Sequence, residues 1–204
     1  MIDHDFLLTA EKIAHRLELI EQNLFQRHLP LPAWRYHQLE DHPHPDAELP
    51  AASSPGWQEI EPHSYWGEWQ TNFVLQTSLV IPPDWPASQT LQLYLPIGTA
   101  GDFFSHPEML VTLDGKRLGT ADRHHHILYL PADLEKGCQL SLTAFGWTGL
   151  ASWPPEEGLR TQLYMRPCFL VQRNPYGFDF VNFARAALET AQLEEMDVQI
   201  RSAL

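Results

Sequence analysis

The chain has 204 residues, 44% of them hydrophobic, with 10 Phe, 7 Trp and 6 Tyr, which excludes a disordered polymer and supplies a core for one domain. Its 26 acidic residues outnumber 13 Lys and Arg, and a net charge of -13 repels a phosphate backbone, so nucleic acid is not an expected partner. No run of about 20 apolar residues is present to span a bilayer, and Asp3, Asp5, Glu11, Glu18 and Glu21 interrupt the start where a signal peptide needs an apolar core, so the chain reads as soluble and cytoplasmic, with no membrane partner.

Phe6, Ala10, Ile13, Leu17, Ile20 and Leu24 recur at spacings of four and three, which predicts a helix over 3–27 that the Pro30 and Pro32 pair stops. From His28 to His63 the chain carries seven prolines, and this stretch reads as extended loop without regular structure, pinned across the domain by Trp34, Tyr36 and Trp57. Trp69, Phe73, Leu75, Leu79 and Ile81 then alternate with polar residues, as a strand with one buried face does. Further alternating runs lie at 91–95, 109–113, 127–130, 140–144, 159–165 and 168–171. Asp114-Gly115 fits the positive-φ demands of a two-residue hairpin turn between 109–113 and 116–118. After Phe180 the period becomes helical again, with Val181, Ala184, Leu188 and Ala191 on one stripe, and the helix runs to Leu204 without a stop signal, as in a piece of a longer protein.

Seven strands without intervening helices predict a mainly β fold: an antiparallel jelly-roll, galactose-binding-like β-sandwich flanked by N- and C-terminal α-helices. The expected organisation is an N-terminal helix over 1–28, a Pro-rich extended segment over 29–64, a sandwich over 65–175 and a helical linker over 176–204. Cys138 and Cys168 both fall in apolar strand-like segments and are read as reduced core residues, a single disulfide being the alternative.

Among groups that could carry chemistry, His42, His44 and Asp46 offer alternating imidazole and carboxylate metal ligands, but prolines between them and a Pro-rich surround favour plain loop. His124 and His126 would share one strand face with His125 on the other, an incomplete metal site, against which stands simple hydrogen bonding beside Asp122. Glu59, Glu61 and Glu68 form no carboxylate pair of the kind glycoside hydrolysis needs. No phosphate loop, Gly-x-Ser-x-Gly elbow or Cys–His pair is present, so no catalytic residue is nominated. Trp57, Tyr65, Trp66 and Trp69 could stack on sugar rings or serve in core and interface packing.

Segment order brings these readings together. Trp66-Gly67-Glu68-Trp69 leads through Phe73 into Val80-Ile81-Pro82-Pro83-Asp84-Trp85, then Val111-Thr112-Leu113-Asp114-Gly115-Lys116-Arg117-Leu118-Gly119 and Asp122 to Leu130, then Leu134 to Phe145 and Phe169-Leu170-Val171. This order resembles the N-terminal region of cytoplasmic-type α-mannosidases of glycoside hydrolase family 38, over nearly the whole chain. The resemblance implies a non-catalytic sandwich with a structural and interface role. It implies too that the full enzyme, mannose-releasing and retaining, acts through an Asp nucleophile and a zinc ion, both in a later catalytic domain. No cofactor is expected in this chain, its catalytic domain is the expected partner, and the full-length enzyme is expected to be a homo-oligomer. The alternatives are a carbohydrate-binding module for mannosides and a free-standing interaction domain.

Overall fold

A computed structural model describes residues 9–21, 23–40, 49–51, 53–86, 90–99, 107–149 and 162–203. The fold is mainly β, a sandwich of antiparallel strand pairs, and the described residues include a helix near each end of the chain. It divides into two compact units, Met1–Arg27 with Gln172–Leu204, and His28–Val171.

The larger unit is built on a six-stranded sheet. Its central strands are β5 (Asn72–Val80) and β11 (Gln139–Trp147), antiparallel over nine residue pairs from Asn72↔Trp147 to Val80↔Gln139. Outside β5 lie β2 (Trp34–Leu39) and β3 (Gln58–Ile60), and outside β11 lie β8 (Glu108–Leu113) and β9 (Lys116–Ala121). A second sheet has the order β1 (Phe25–Pro30), β13 (Phe169–Arg173), β6 (Leu91–Tyr94), β10 (Ile127–Tyr129). A third joins β4 (Tyr65–Trp66), β12 (Leu163–Met165) and β7 (Ile97–Thr99).

One buried cluster draws on all three sheets, with Trp34, Phe73, Leu75, Val111 and Leu142 from the first, Leu93, Leu128 and Leu170 from the second, and Trp66, Ile97 and Leu163 from the third. The predicted alternation holds in part: Phe73, Leu75 and Leu79 are buried and Gln76 and Ser78 only half so, but Val74 on the opposite face is buried as well. The Asp114-Gly115 turn is also as expected, with φ of 47° and 75° at its two central residues. Asp114 is locked further by its side-chain Oδ1, which accepts the Ser141 N–H at 2.7 Å from the neighbouring β11.

Three expectations need correction. The 28–63 stretch is not without regular structure, since it supplies half of β1 and all of β2 and β3. Prolines flank β2 without entering it, and Trp34 and Tyr36 bury themselves in the core while the backbone of 35–39 pairs with β5. The first helix, α1 (Thr9–Glu21), ends before 27, because residues from Phe25 onward are in β1. Of its predicted stripe only Leu17 and Leu24 are buried, Ile13 and Ile20 being exposed, and Phe6 lies outside the described residues. Cys138 is exposed in the turn before β11 and only Cys168 is a core residue, both thiols being free.

In the smaller unit, Leu17 and Leu24 pack with Val181 and with Phe178, Ala184 and Leu188 of α2 (Pro175–Ala203). Asn174 caps α2, its Oδ1 accepting the Gly177 N–H at 3.1 Å, and Pro175 takes the first helical position, where no N–H is needed. Arg185 of α2 reaches Glu21 of α1 at 2.6 Å.

Gly146 marks where the two central strands leave no room for a side chain. A Cβ there would overlap the Glu108 carbonyl and lie 2.6 Å from the Phe73 ring and 2.9 Å from Met109. Gly146→Ala is expected to lower unfolding stability by about 2–3 kcal/mol through overpacking, whereas Gly115→Ala, which meets no atom within 4 Å, acts only through its left-handed backbone. Urea unfolding of both variants checks the ranking.

Candidate functional site

The four aromatic candidates do not form one platform. Trp66 is core, 3% exposed, with Tyr36 and Phe73 rings edge-on at 5.5 and 5.1 Å, so its indole face is unavailable to a ligand. Trp69 is half-buried and packs against the same core. Trp57 is half-buried; its Nε1 donates to the Ala51 carbonyl at 3.0 Å, Arg35 lies 4.8 Å from its ring centroid and His37 meets it edge-on. Tyr65 alone of the four is openly exposed, at 48%.

Tyr65 belongs to a group that sequence reading did not assemble. It pairs in register with Tyr164 of β12, the two rings 5.2 Å apart and T-shaped. Tyr164 Oη lies 3.1 Å from Nδ1 of His63. His63 stands in the tight turn Glu61-Pro62-His63-Ser64, closed by the Ser64 N–H donating to the Glu61 carbonyl at 3.3 Å. Its φ is 66°, the position that a turn with Pro second in line reserves for glycine. Holding a histidine there costs roughly 1–2 kcal/mol, and the turn is fastened by the His63 N–H to the Met165 carbonyl at 2.8 Å and the Met165 N–H to the Ser64 carbonyl at 2.9 Å. The legible signal was Pro62 followed by a non-glycine; its partner Tyr164, 101 residues away, was not legible.

The histidine run is not a strand with a two-His face. Asp122 turns the chain instead: its Oδ1 accepts the N–H groups of His124 at 2.6 Å and His125 at 2.8 Å, and its carboxylate meets His125 Nδ1 at 3.0 Å. A short side chain that bonds the backbone two and three residues on competes directly with strand pairing. His126 is half-buried, its Nδ1 enclosed without a hydrogen-bond partner and its ring edge-on to Tyr94 at 6.0 Å, and burial holds its pKa below the ordinary value. Among the described residues no group of three or more His, Cys, Asp or Glu is placed to hold a metal ion. His42, His44 and Asp46 lie outside the described residues.

Neither cysteine offers a thiolate near neutral pH. Burial pushes the Cys168 thiol up to about 12, and the Glu135 carboxylate beside Cys138 raises that one. Glu59, Glu61 and Glu68 are exposed. A partly open cavity of about 200 Å³ lies beside Trp85, lined also by Leu91, Leu130, Pro131 and Leu134, with Lys136 donating to the Trp85 carbonyl. Finally, α2 presents Tyr176, Phe180 and Phe183 at 87%, 56% and 77% exposure, a stripe at spacings of four and three that lies away from the buried Val181. Among the described residues no helix is long and apolar enough to cross a membrane.

No protein-family profile matches the chain, and no curated protein matches it. Similar solved structures include a rhamnosidase from Novosphingobium sp. PP1Y, 16% identical with a TM-score of 0.45 over 72% of this chain and 15% of that one. A β-glucuronidase from Ruminococcus gnavus in complex with D-glucuronic acid is 10% identical, TM-score 0.44, over 73% of this chain and 30% of that one. A Bacteroides fragilis chain assigned as a β-galactosidase is 14% identical, TM-score 0.43, over 72% and 23%. These neighbours are glycoside hydrolases. The chain spans less than a third of the length of each.

Asp122 provides a direct check on the histidine turn. Partial burial would raise its pKa, but the bond to His125 and the backbone N–H groups of His124 and His125 outweigh it and bring the carboxyl from 3.8 to about 2. A depressed folded value means the stabilisation is complete above 3.8 and is lost as pH falls from there through about 2. Asp122→Ala is expected to destabilise by about 1 kcal/mol at neutral pH and to erase that acid-side dependence, as thermal melts between those pH limits will test.

Proposed function

We propose that this chain is the non-catalytic N-terminal sandwich of an α-mannosidase of glycoside hydrolase family 38, serving as a scaffold and docking surface for the enzyme's catalytic domain. One observation carries the reading. The residues on which the family resemblance rests are packing and turn residues of a single sandwich: Trp66, Phe73, Ile81, Trp85, Val111 and Leu113 lie in one core, and Asp114 and Gly115 form its hairpin turn. What resembles the family is a scaffold, and a scaffold's duty is to hold shape and present surface.

In this reading, hydrolysis of terminal α-linked mannose with retention belongs to the full-length enzyme, and zinc and the Asp nucleophile to its catalytic domain. The surface offered to that domain, or to a second copy of the enzyme, is the exposed aromatic stripe Tyr176, Phe180 and Phe183 on α2. Three aromatic residues on one helix face are the kind of anchor that interfaces concentrate.

Two measurements test this. In the gene, the reading frame beyond Leu204 is expected to continue into a domain carrying a His-x-Asp zinc motif; a stop codon or an unrelated domain there sinks the proposal. In the full-length enzyme, Tyr176→Ser with Phe183→Ser is expected to loosen packing of the sandwich on its partner domain, seen as faster proteolysis between the two. The same substitutions in the 204-residue chain should change unfolding stability by no more than about 0.5 kcal/mol, because they remove no buried contact.

A further inference from the structure

We propose that Tyr65, Tyr164 and His63 form a binding subsite for a neutral pyranoside, an inference independent of the α-mannosidase reading. Tyr65 is half exposed, although its neighbour in β4, Trp66, is almost fully buried. The edge of one tyrosine ring against the other, at 5.2 Å and 60° between planes, fixes the tilt of both. An ordered aromatic surface of this kind receives the C–H face of a sugar ring at low entropic cost.

The polar half of the site is His63. If its Nδ1 accepts the Tyr164 hydroxyl proton, Nε2 carries a hydrogen and donates; if Nδ1 donates, Nε2 accepts. A sugar hydroxyl serves either tautomer, since it both donates and accepts. A carboxylate or an ammonium group would serve only one. The chain's net charge of -13 further disfavours an acidic ligand. In size, two tyrosine rings and an imidazole match one or two sugar rings.

The backbone supplies the independent sign that the histidine is there for its side chain. Glycine would fit φ of 66° without strain, yet the turn is occupied by an imidazole aimed at Tyr164. Strain retained in a turn fastened to a strand by two further hydrogen bonds is characteristic of binding positions.

The test is saturation-transfer NMR and calorimetric titration of the 204-residue chain with methyl α-D-mannopyranoside, methyl α-L-rhamnopyranoside and methyl β-D-galactopyranoside, with D-glucuronate as the anionic control. At least one neutral glycoside is expected to bind in the millimolar range, more tightly than glucuronate. Tyr65→Ala should weaken binding about tenfold or more without changing the fold. His63→Gly should raise the melting temperature, by releasing the backbone, while weakening binding. Tyr164→Phe should weaken binding through loss of the bond that orients His63. The proposal is overturned by absence of transfer to all three glycosides, by binding unchanged in Tyr65→Ala, or by His63→Gly that stabilises the chain and leaves binding intact. It is also overturned if Tyr65→Ala alters only the oligomeric state, which would make the patch a contact between copies.

Discussion

Everything in the larger unit is organised around the nine-residue ladder between β5 and β11. It joins residues 72–80 to 139–147, and each partner then carries a further strand on its outer side, β2 on β5 and β8 on β11. The inward residues of these strands, Phe73, Leu75, Leu79, Val111, Leu113, Leu142 and Ala144, make the floor of the core. The ladder tolerates little variation. At Gly146 the Phe73 ring and the Glu108 carbonyl close over the backbone, so the identity of one residue in β11 is set by atoms on both of its neighbours.

Long-range pairing also explains how a proline-rich segment becomes part of a sheet. Prolines break helices and central strands because they lack an N–H, but Pro30, Pro32 and Pro50 stand at or beyond the ends of β1 and β2. Between them Trp34 and Tyr36 each bury a large aromatic surface, and that gain holds β2 against β5. Thr77 reinforces the entry, its hydroxyl donating to the Pro32 and Ala33 carbonyls at 3.2 Å. The same competition ends α1 at Glu21: the stretch from Phe25 to Pro30 has helical spacing before it but a strand on hand beside it.

The polar features divide by what they do for the backbone. Asp114 and Asp122 each place a carboxylate oxygen on backbone N–H groups and so fix a turn. Asn174 does the same for the first turn of α2. His63 differs, since its side-chain Nδ1 meets another side chain, the Tyr164 hydroxyl, rather than a backbone N–H. Two kinds of surface are therefore left for recognition. The α2 stripe is aromatic and helical, and in the proposals above it meets another protein surface; the Tyr65–Tyr164–His63 group carries hydrogen-bonding tips and meets a sugar.

Local pattern alone was enough for the class of fold, for β5, β6, β8, β10, β11 and β13, for the Asp114-Gly115 hairpin and for the helical period after Phe180, because each of these is decided by neighbours within a few residues. The start of that helix was not read: α2 begins at Pro175, capped by Asn174, upstream of the Phe180 where the helical period was recognised. Sequence could not separate Trp66, a core residue, from Tyr65, an exposed one, beyond the fact that adjacent strand residues face opposite ways. It could not turn 28–63 into three strands, expose Cys138, or join His63 to Tyr164. Those outcomes depend on which distant segment supplies the missing hydrogen bonds and which side chain covers the surface, and only the assembled sheets decide that.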